Sequence, residues 1–270
     1  MRQKIIFSSL ISIFALSAMA DFPGKSWLED KVVKDQFDLW IGIQGLAAPT
    51  YFGSDDYRYY PLPIIQLETY DKSPSPFIFD SIAGAGIKLF DYQGAYLGVA
   101  GYWRPGWSAK DDLKGLDDRD SGLQASALIG YENRYGLDAK IISSWGITGD
   151  VKGMLVTGKI EQDLQLSSWW RVTPGAAVSW GSNEYMDNYY GISAEESYRS
   201  ATNLSAYDAD SGFRDARIYL ENTFQIRENI RLYLDAYIDF ILDGAKDSPI
   251  VKDVGSDVGY GGSFGISFKF

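Results

Sequence analysis

Residues 230–242 read IRLYLDAYIDFIL, and apolar side chains occupy every second position of this stretch. The alternation predicts a β-strand, because successive side chains of a strand point to opposite faces. One face would be apolar throughout, whereas the other would carry Arg231, Asp235 and Asp239. Burying these charges in the core of a soluble protein is costly, but a water-filled or polar interior accepts them. The stretch therefore predicts a strand of a transmembrane β-barrel, with lipid against its apolar face.

The last residues repeat this pattern and end on an aromatic side chain. Glycine, serine and lysine share one face of the predicted strand. The other face carries the predicted membrane-insertion signature, which is Phe264, Ile266, Phe268 and Phe270. A strand of this kind predicts insertion into an outer membrane by the barrel-assembly machinery. Taken alone, the tail would also suit an amphipathic strand of a soluble β-sandwich.

The first residues are typical of an export signal. Arg2 and Lys4 precede a short apolar run at residues 5–16, and an Ala-x-Ala cleavage site ends at Ala20. No later stretch reaches the roughly 20 apolar residues of a membrane-spanning helix, so an exported membrane protein of this sequence is expected to be a closed barrel. The predicted parts of the chain are a cleavable signal peptide (1–20), an N-terminal periplasmic segment (21–36) and a barrel in the Gram-negative outer membrane (37–270).

Composition narrows the possible functions. No linker divides the chain, so one domain is expected. The net charge is −11, and no basic patch is available to bind nucleic acid. The chain has no cysteine and no histidine, which excludes thiolate chemistry, imidazole metal ligands and the Ser-His-Asp triad. We therefore expect a protein that is not an enzyme and that has no catalytic residues, cofactor or metal.

Eleven segments alternate between apolar and polar residues as a strand does, some of them less regularly than others. The segments are 37–46, 60–70, 77–90, 94–104, 121–131, 137–147, 154–166, 170–180, 213–226, 230–242 and 258–270. A bacterial barrel with both ends in the periplasm needs an even number of strands, and twelve are favoured over ten. A missed strand inside residues 183–211 is one possible source of the twelfth. The predicted fold is an all-β, closed, antiparallel transmembrane β-barrel.

The connections between these segments fall into two classes. Short turns occur near residues 91–94, 133–136, 167–168 and 228–229, and long loops occur at 105–120, 183–211 and 243–256. In outer-membrane barrels the short turns face the periplasm and the long loops face outward. The sequence predicts the same arrangement here.

Two sets of charged residues are candidates for chemistry. Acidic clusters such as Asp55-Asp56 lie in the predicted loops, where solvated turn residues are the first interpretation and cation-mediated contact with lipopolysaccharide is the second. Arg231, Asp235 and Asp239 would line the barrel interior. They predict either a selectivity lining or a closed polar network that stabilises a narrow barrel.

Four stretches together resemble the MipA/OmpV family of outer-membrane proteins, the family of the MltA-interacting protein. The first is Tyr51–Tyr57, followed by Pro61-Leu62-Pro63, and the second is Leu113–Asp118. The third is an aromatic stretch that consists of Trp180, Tyr185-Met186 and Tyr189–Ile192, and the fourth is Asp247–Val251. The residues that carry the resemblance most directly are Tyr51, Gly53, Ser54, Asp55, Asp56, Tyr57, Pro61, Pro63, Gly115, Leu116, Tyr189, Tyr190, Gly191, Ser248 and Pro249.

This resemblance implies a non-enzymatic barrel. One member of the family is described as a scaffold that joins a membrane-bound lytic transglycosylase to a peptidoglycan synthase. Other members are linked to adhesion, antigenicity or solute passage, so a small-solute channel and a surface adhesin or antigen are the alternatives. The family has no known catalytic set, and the resemblance assigns no catalytic residue here.

Overall fold

A single antiparallel sheet forms the body of the molecule. The computed structural model describes residues 37–69 and 76–269, and thirteen strands of this part of the chain belong to one sheet. The predicted signal peptide, the segment 21–36 and Phe270 lie outside the described residues. The strands are β1 (Phe37–Pro49), β2 (Tyr57–Thr69), β3 (Phe77–Asp80), β4 (Gly84–Tyr92), β5 (Ala95–Arg104), β6 (Gly122–Glu132), β7 (Leu137–Gly146), β8 (Met154–Gln162), β9 (Leu164–Ser167), β10 (Trp170–Gly181), β11 (Gly212–Arg227), β12 (Ile230–Ile241) and β13 (Val258–Lys269).

The strand order joins the two ends of the chain. Strand β1 pairs with the last strand, β13, with Ile41 opposite Phe268. From β13 the sheet continues through β12, β11, β10, β8, β7, β6, β5 and β4 to β3, while β2 lies on the other side of β1 and β9 pairs with β10. The two edges of this sheet are therefore β2 and β3, which are consecutive in the sequence.

The two faces of the sheet differ as the alternation predicts. Phe264 and Phe268 are 60% and 43% exposed on the outer face of β13. Ser263 and Ser267 point to the opposite, interior face and are buried. Burial of polar residues beside exposure of large apolar residues is the reverse of a soluble protein and is typical of a barrel in lipid. Among the described residues, no helix is long and apolar enough to cross a membrane.

The sheet curls so that distant strands meet across its interior face. Asp80 of β3 contacts Lys159 of β8, with an Oδ2–Nζ distance of 2.9 Å. The rings of Tyr51 and Trp107, which follow β1 and β5, lie 5.9 Å apart, although seven strands separate β1 from β5 in the sheet order. Such contacts require strong curvature, and the sheet is therefore barrel-like.

Two of the predicted segments are corrected by the structure. Residues 77–90 form two strands, because the Asp80 carboxylate accepts hydrogen bonds from the backbone N–H groups of Ile82 (2.8 Å) and Ala83 (3.1 Å) and so closes a turn. Gly84 then takes a φ of +92°, which favours glycine. Residues 154–166 are also divided, since Asp163 separates β8 from β9.

Residues 183–211, one place considered for the twelfth strand, contain no strand. This segment instead contains the helices α1 (Asn183–Tyr190) and α2 (Ala194–Arg199), and the following long loop contains α3 (Asp243–Asp247) and α4 (Pro249–Lys252). Serine at the N-cap explains two of these helices. Ser182 accepts a hydrogen bond from the backbone of Tyr185, and Ser193 forms a capping box with Glu196.

Candidate functional site

Five loops at one end of the sheet pack together into a folded layer. We call this layer the cap, and it comprises residues 50–56, 105–121, 147–153, 182–211 and 242–257. Two apolar clusters hold it together. One contains Met186, Tyr190 and Val251, and the other contains Leu116, Ile192 and Ile250. Loops that begin on strands far apart in the sheet thus share their cores, and the cap extends across the end of the barrel-like sheet.

The four stretches that carry the family resemblance meet in this cap. The Ser248 hydroxyl donates a 2.6 Å hydrogen bond to the carbonyl oxygen of Tyr190, and the Tyr51 hydroxyl donates a 3.4 Å bond to the carbonyl oxygen of Ile250. Leu116 and Ile250 belong to the same buried apolar cluster. Residues that are up to 199 positions apart in the sequence are therefore neighbours, which the sequence alone did not reveal.

Two glycines of these stretches stand where a side chain would collide. Gly53 has a φ of +103°, and a Cβ at this position would lie 2.7 Å from Cγ2 of Val251. Gly115 has a φ of +107°, and its Cβ would lie 2.1 Å from the carbonyl oxygen of Arg199. Both positions combine a left-handed backbone with close packing, so glycine is needed at each of them.

The remaining residues of the resemblance are spread between the cap and β2. Ser54 is buried, and its hydroxyl lies 2.8 Å from that of Thr50. Asp55 and Asp56 are exposed, Gly191 is the C-cap residue of α1, Tyr189 is half-buried, and Pro249 begins α4. Tyr57, Pro61 and Pro63 lie on β2, an edge strand of the described sheet, where proline is tolerated.

Glu196 fastens α2 to the loop 105–121. Its Oε1 accepts a 3.1 Å hydrogen bond from the backbone N–H of Asp117 and lies 3.4 Å from Nη2 of Arg119, while Oε2 accepts bonds from Ser193. Burial alone would raise the pKa of Glu196, but the hydrogen bonds from Ser193 and Asp117 and the charge of Arg119 outweigh it. The pKa of Glu196 is therefore held below its usual range.

The cap also holds the excess negative charge of the protein. Its five loops contain 18 of the 36 acidic residues and 7 of the 25 basic residues, so their net charge of −11 equals that of the whole chain. Within residues 37–69 and 76–269, no three acidic side chains come together in a group that could hold a metal ion. The negative charge is thus a property of the whole layer.

Interior polar residues of β12 pair with side chains of nearby strands. Asp239 is buried and binds Arg217 of β11 through two hydrogen bonds of 2.6 and 2.8 Å. Asp235 accepts a 2.6 Å bond from the Ser263 hydroxyl, and the guanidinium carbon of Arg231 lies 3.8 Å from the centre of the Trp40 ring. The three residues predicted to line the interior therefore engage neighbouring side chains on the interior face.

A larger ionic cluster was missed in the sequence. Asp80 Oδ2 lies 3.1 Å from Lys140 Nζ and 2.9 Å from Lys159 Nζ, and Glu161 lies within 3.3 Å of both lysines. Tyr219 donates a 2.7 Å hydrogen bond to the Glu161 carboxylate. Lys140 and Tyr219 stand between apolar neighbours on their own strands, but the grouping depends on a register that no local pattern reveals.

The chain is similar to a known protein family along most of its length. The model of the MltA-interacting protein MipA family matches residues 41–270. The MltA-interacting proteins of Escherichia coli (strain K12) and Shigella flexneri are each 29% identical over 170 residues, which cover 61% of this chain and 64% of each relative. The chain thus matches somewhat less than two thirds of the length of these curated relatives.

Solved outer-membrane barrels show a weaker similarity of shape. The translocator domain of the autotransporter NalP from Neisseria meningitidis aligns with 95% of this chain and 98% of its own at a TM-score of 0.40 and 11% identity. The NanC porin aligns with 87% of this chain and all of its own at a TM-score of 0.40 and 8% identity.

The family match extends from β1 to the end of the chain and includes all five loops of the cap. It confirms the resemblance first seen in four separate stretches of sequence, which the fold brings together. The chain therefore belongs to the MltA-interacting protein MipA family.

Proposed function

We propose that the protein is a non-enzymatic β-barrel of the Gram-negative outer membrane that acts as a scaffold for enzymes that remodel peptidoglycan. Family membership over residues 41–270 is the observation that carries this proposal. The relatives in Escherichia coli and Shigella flexneri are named for interaction with MltA. The first proposed partner is accordingly a lytic transglycosylase, and the second is a peptidoglycan synthase, as the family resemblance implies.

The proposed barrel is closed and has twelve passages. Strands β8 and β9 count as one passage, because only Asp163 separates them and both pair with β10. Twelve is an even number, as a bacterial barrel with both ends on one side requires. Closure would join β2 to β3, the two edges of the described sheet, and these strands are consecutive in the sequence.

In this orientation the cap faces the cell exterior and the short turns face the periplasm. We also propose that residues 1–20 are a signal peptide that is cleaved and that residues 21–36 form a periplasmic segment. The turns at residues 93–94, 133–136, 168–169 and 228–229 are short, and they offer little docking surface. The segment 21–36 is therefore proposed to contribute to the docking of the partner enzymes.

The cap favours a scaffold over an open channel. Its two apolar clusters join loops from β1, β5, β10 and β12 across one end of the sheet. Inside, Asp239 is paired with Arg217, and Asp80 with two lysines, so these charges satisfy one another. The absence of histidine and cysteine from the sequence supports a role without enzymatic chemistry, because the usual general base and thiolate nucleophile are missing.

Two further partners are proposed on physical grounds. The net charge of −11 in the cap would face the phosphate groups of lipopolysaccharide, so divalent cations are proposed to bridge the two surfaces. The alternating aromatic strand β13 is proposed to engage the barrel-assembly machinery during insertion, because its apolar face is the exposed one and would meet lipid in an outer-membrane barrel.

The scaffold role is tested by crosslinking in the intact envelope through a tagged copy of the protein, followed by mass spectrometry of the captured proteins. A tagged barrel of similar size that belongs to another family is the control. Specific recovery of a lytic transglycosylase or a peptidoglycan synthase is expected. Recovery of nothing beyond lipopolysaccharide and abundant porins would contradict the scaffold role. A variant that lacks residues 21–34 tests the docking segment, since undiminished capture would exclude it.

A small-solute channel is the second candidate function. The interior face of β12 carries charged residues along its length, with Arg231 near one end and Asp239 near the other. If the barrel conducts, Arg231→Ala should shift its ion selectivity. Conductance equal to that of a bare bilayer would exclude this function.

A further inference from the structure

An open cleft lies at the rim of the sheet, between the end of β7 and the start of α1 in the cap. It has a volume of about 410 Å³, which falls within the roughly 300–1,000 Å³ that is usual for small-molecule sites. The side chains of Trp145, Thr148, Lys152, Ser182 and Glu184 are part of its lining. The cleft therefore combines an indole ring with two hydroxyl groups and with one charge of each sign.

Hydrogen bonds fix the walls of this cleft. The Ser182 hydroxyl accepts hydrogen bonds from the backbone N–H groups of Met154 (3.0 Å) and Tyr185 (3.4 Å), so it joins β8 to α1. The side-chain amide of Asn188 donates a 2.7 Å bond to the carbonyl oxygen of Asp150, which ties the loop after β7 to the same helix. The lining residues are thus held in place before any ligand binds.

The polar groups of the cleft are available to a ligand. The Thr148 hydroxyl accepts a 3.0 Å hydrogen bond from the backbone N–H of Leu123. Like the Ser182 hydroxyl, it donates to no acceptor among the described residues. Lys152 and Glu184 are exposed, and neither side chain forms an ion pair in the described part of the chain. The cleft therefore offers two hydroxyl donors, an ammonium group and a carboxylate acceptor.

The cleft lies where the wall of the sheet meets the cap. Trp145 is exposed and shares the outward face of β7 with Ile141, and Ile147 is exposed just beyond the strand. Tryptophan is enriched where a barrel wall reaches the level of the lipid headgroups. In the proposed orientation, with the cap outside the cell, this level belongs to the outer leaflet, whose glycolipid carries a headgroup of phosphorylated, N-acylated glucosamine.

We propose that this cleft binds the phosphorylated amino-sugar headgroup of an outer-leaflet glycolipid. The Lys152 ammonium group pairs with a phosphate oxygen, because charge-assisted hydrogen bonds are stronger than neutral ones. The hydroxyl groups of Thr148 and Ser182 donate to further oxygens of the headgroup, and Glu184 accepts from its hydroxyl or amide N–H groups. Trp145 supplies an apolar surface for the sugar ring. The site rests on the proposed outer-membrane orientation, but unlike the cation-mediated contact of the cap it needs no metal ion.

The test is binding of N-acetylglucosamine 1-phosphate, measured by equilibrium dialysis against the whole protein in phosphatidylcholine nanodiscs. Saturable binding is expected, and Lys152→Gln should weaken it by about tenfold because the charge-assisted bond is lost. Trp145→Leu, which removes the indole ring from an exposed position, should weaken it as well. Lys252→Gln is the matched control, since Lys252 is likewise exposed in the cap but does not line the cleft.

Two further arms identify the ligand. N-acetylglucosamine lacks the phosphate, so it should bind more weakly and its binding should not respond to Lys152→Gln. Nanodiscs that also contain diphosphoryl lipid A should suppress binding of the sugar phosphate, because the glycolipid then occupies the cleft. Undiminished binding in these nanodiscs would exclude the glycolipid as the occupant and would overturn the proposal.

Two other results would also overturn it. One is an absence of saturable binding of the sugar phosphate at concentrations up to about 10 mM, where even a weak site would be visible. The other is binding that Lys152→Gln and Trp145→Leu leave equal to that of the wild type. Neither result would touch the proposed orientation of the protein.

The orientation is measured separately, so that its failure can be distinguished from failure of the site. Ser205 is exposed in the cap, and a maleimide that cannot cross membranes should label Ser205→Cys in intact cells. Labelling only after the outer membrane is permeabilised would place the cap in the periplasm. That result would overturn both the orientation and the glycolipid as occupant, even if the purified protein bound the sugar phosphate.

Discussion

The hydroxyl of Ser248 donates a hydrogen bond of 2.6 Å to the backbone carbonyl oxygen of Tyr190. The two residues are 58 positions apart, and each belongs to a different stretch of the family resemblance. Ser248 is fully buried, and Tyr190 is 1% exposed. This bond therefore links two loops of the cap at a place from which water is excluded.

Ser248→Ala should loosen the cap. The substitution leaves the Tyr190 carbonyl without its side-chain partner in a buried site, which costs about 1–3 kcal/mol. Trypsin cleavage after Lys246 and Lys252, which are exposed in the same loop, should become roughly 5- to 150-fold faster if cleavage follows opening of the cap. Ser205→Ala is the control, because Ser205 is exposed in the cap. Equal cleavage rates in both variants would contradict a role for the bond.

Gly115→Ala should disturb the contact between the loop 105–121 and α2. A Cβ would lie 2.1 Å from the carbonyl oxygen of Arg199, and the φ of +107° is itself unfavourable for alanine. The unfavourable backbone conformation alone would lower the free energy of unfolding by about 1–3 kcal/mol. The temperature at which the protein loses its folded gel mobility should therefore fall by several degrees. Gly45→Ala on β1 is the control, since its Cβ would meet nothing within 4 Å. Unchanged melting of Gly115→Ala would show that the contact can relax.

Some parts of the fold could be predicted because their signals are local. The alternation in 230–242 gives β12 and its two faces directly, since a strand repeats every second residue. The positions of the short turns and long loops follow from the gaps between such segments. The helix α2 also had a local signal, because Ser193 and Glu196 form the S-x-x-E pattern of a capping box, although the sequence interpretation overlooked it.

Other parts depend on contacts between distant residues. The turn after Asp80 lies inside an apolar stretch, and the side chain that closes it is also the one that binds Lys140 and Lys159. The grouping of Ser248 with Tyr190 requires the long loops to fold over the sheet end. Strand register and loop packing together decide such contacts, and neither leaves a pattern within one segment.

Asp80→Asn should destabilise the barrel. The introduced amide would keep an oxygen for the backbone N–H groups of Ile82 and Ala83, but the negative charge between Lys140 and Lys159 would be lost. Breaking a buried ion pair by removing one partner costs about 3 kcal/mol or more, and urea unfolding of the detergent-folded protein should show a loss of this size. Asp257→Asn is the control, because this carboxylate lies 2.5 Å from Nζ of Lys246 and the two side chains are 44% and 55% exposed, and ion pairs exposed to this degree contribute little to stability. If both variants lost a similarly small amount of unfolding free energy, the ion pairs of Asp80 would contribute no more than an exposed pair does.

The cap should loosen in acid because of Glu196. Its pKa in the folded protein lies below the ordinary value of 4.5, so its contribution to stability is fully present above that value. The contribution is lost as the pH falls through the lowered pKa, because protonation removes the charge that binds the backbone N–H of Asp117 and the guanidinium of Arg119.

The mobility of the cap can be measured with a fluorescent label on Ser205→Cys, because the chain has no cysteine of its own. We expect mobility to rise as the pH is lowered below 4.5, whereas Glu196→Gln should be mobile already at pH 7 and should lose this transition. Glu195→Gln, at the exposed neighbouring position, should keep it, and a transition that persists in Glu196→Gln would assign the acid sensitivity to another group.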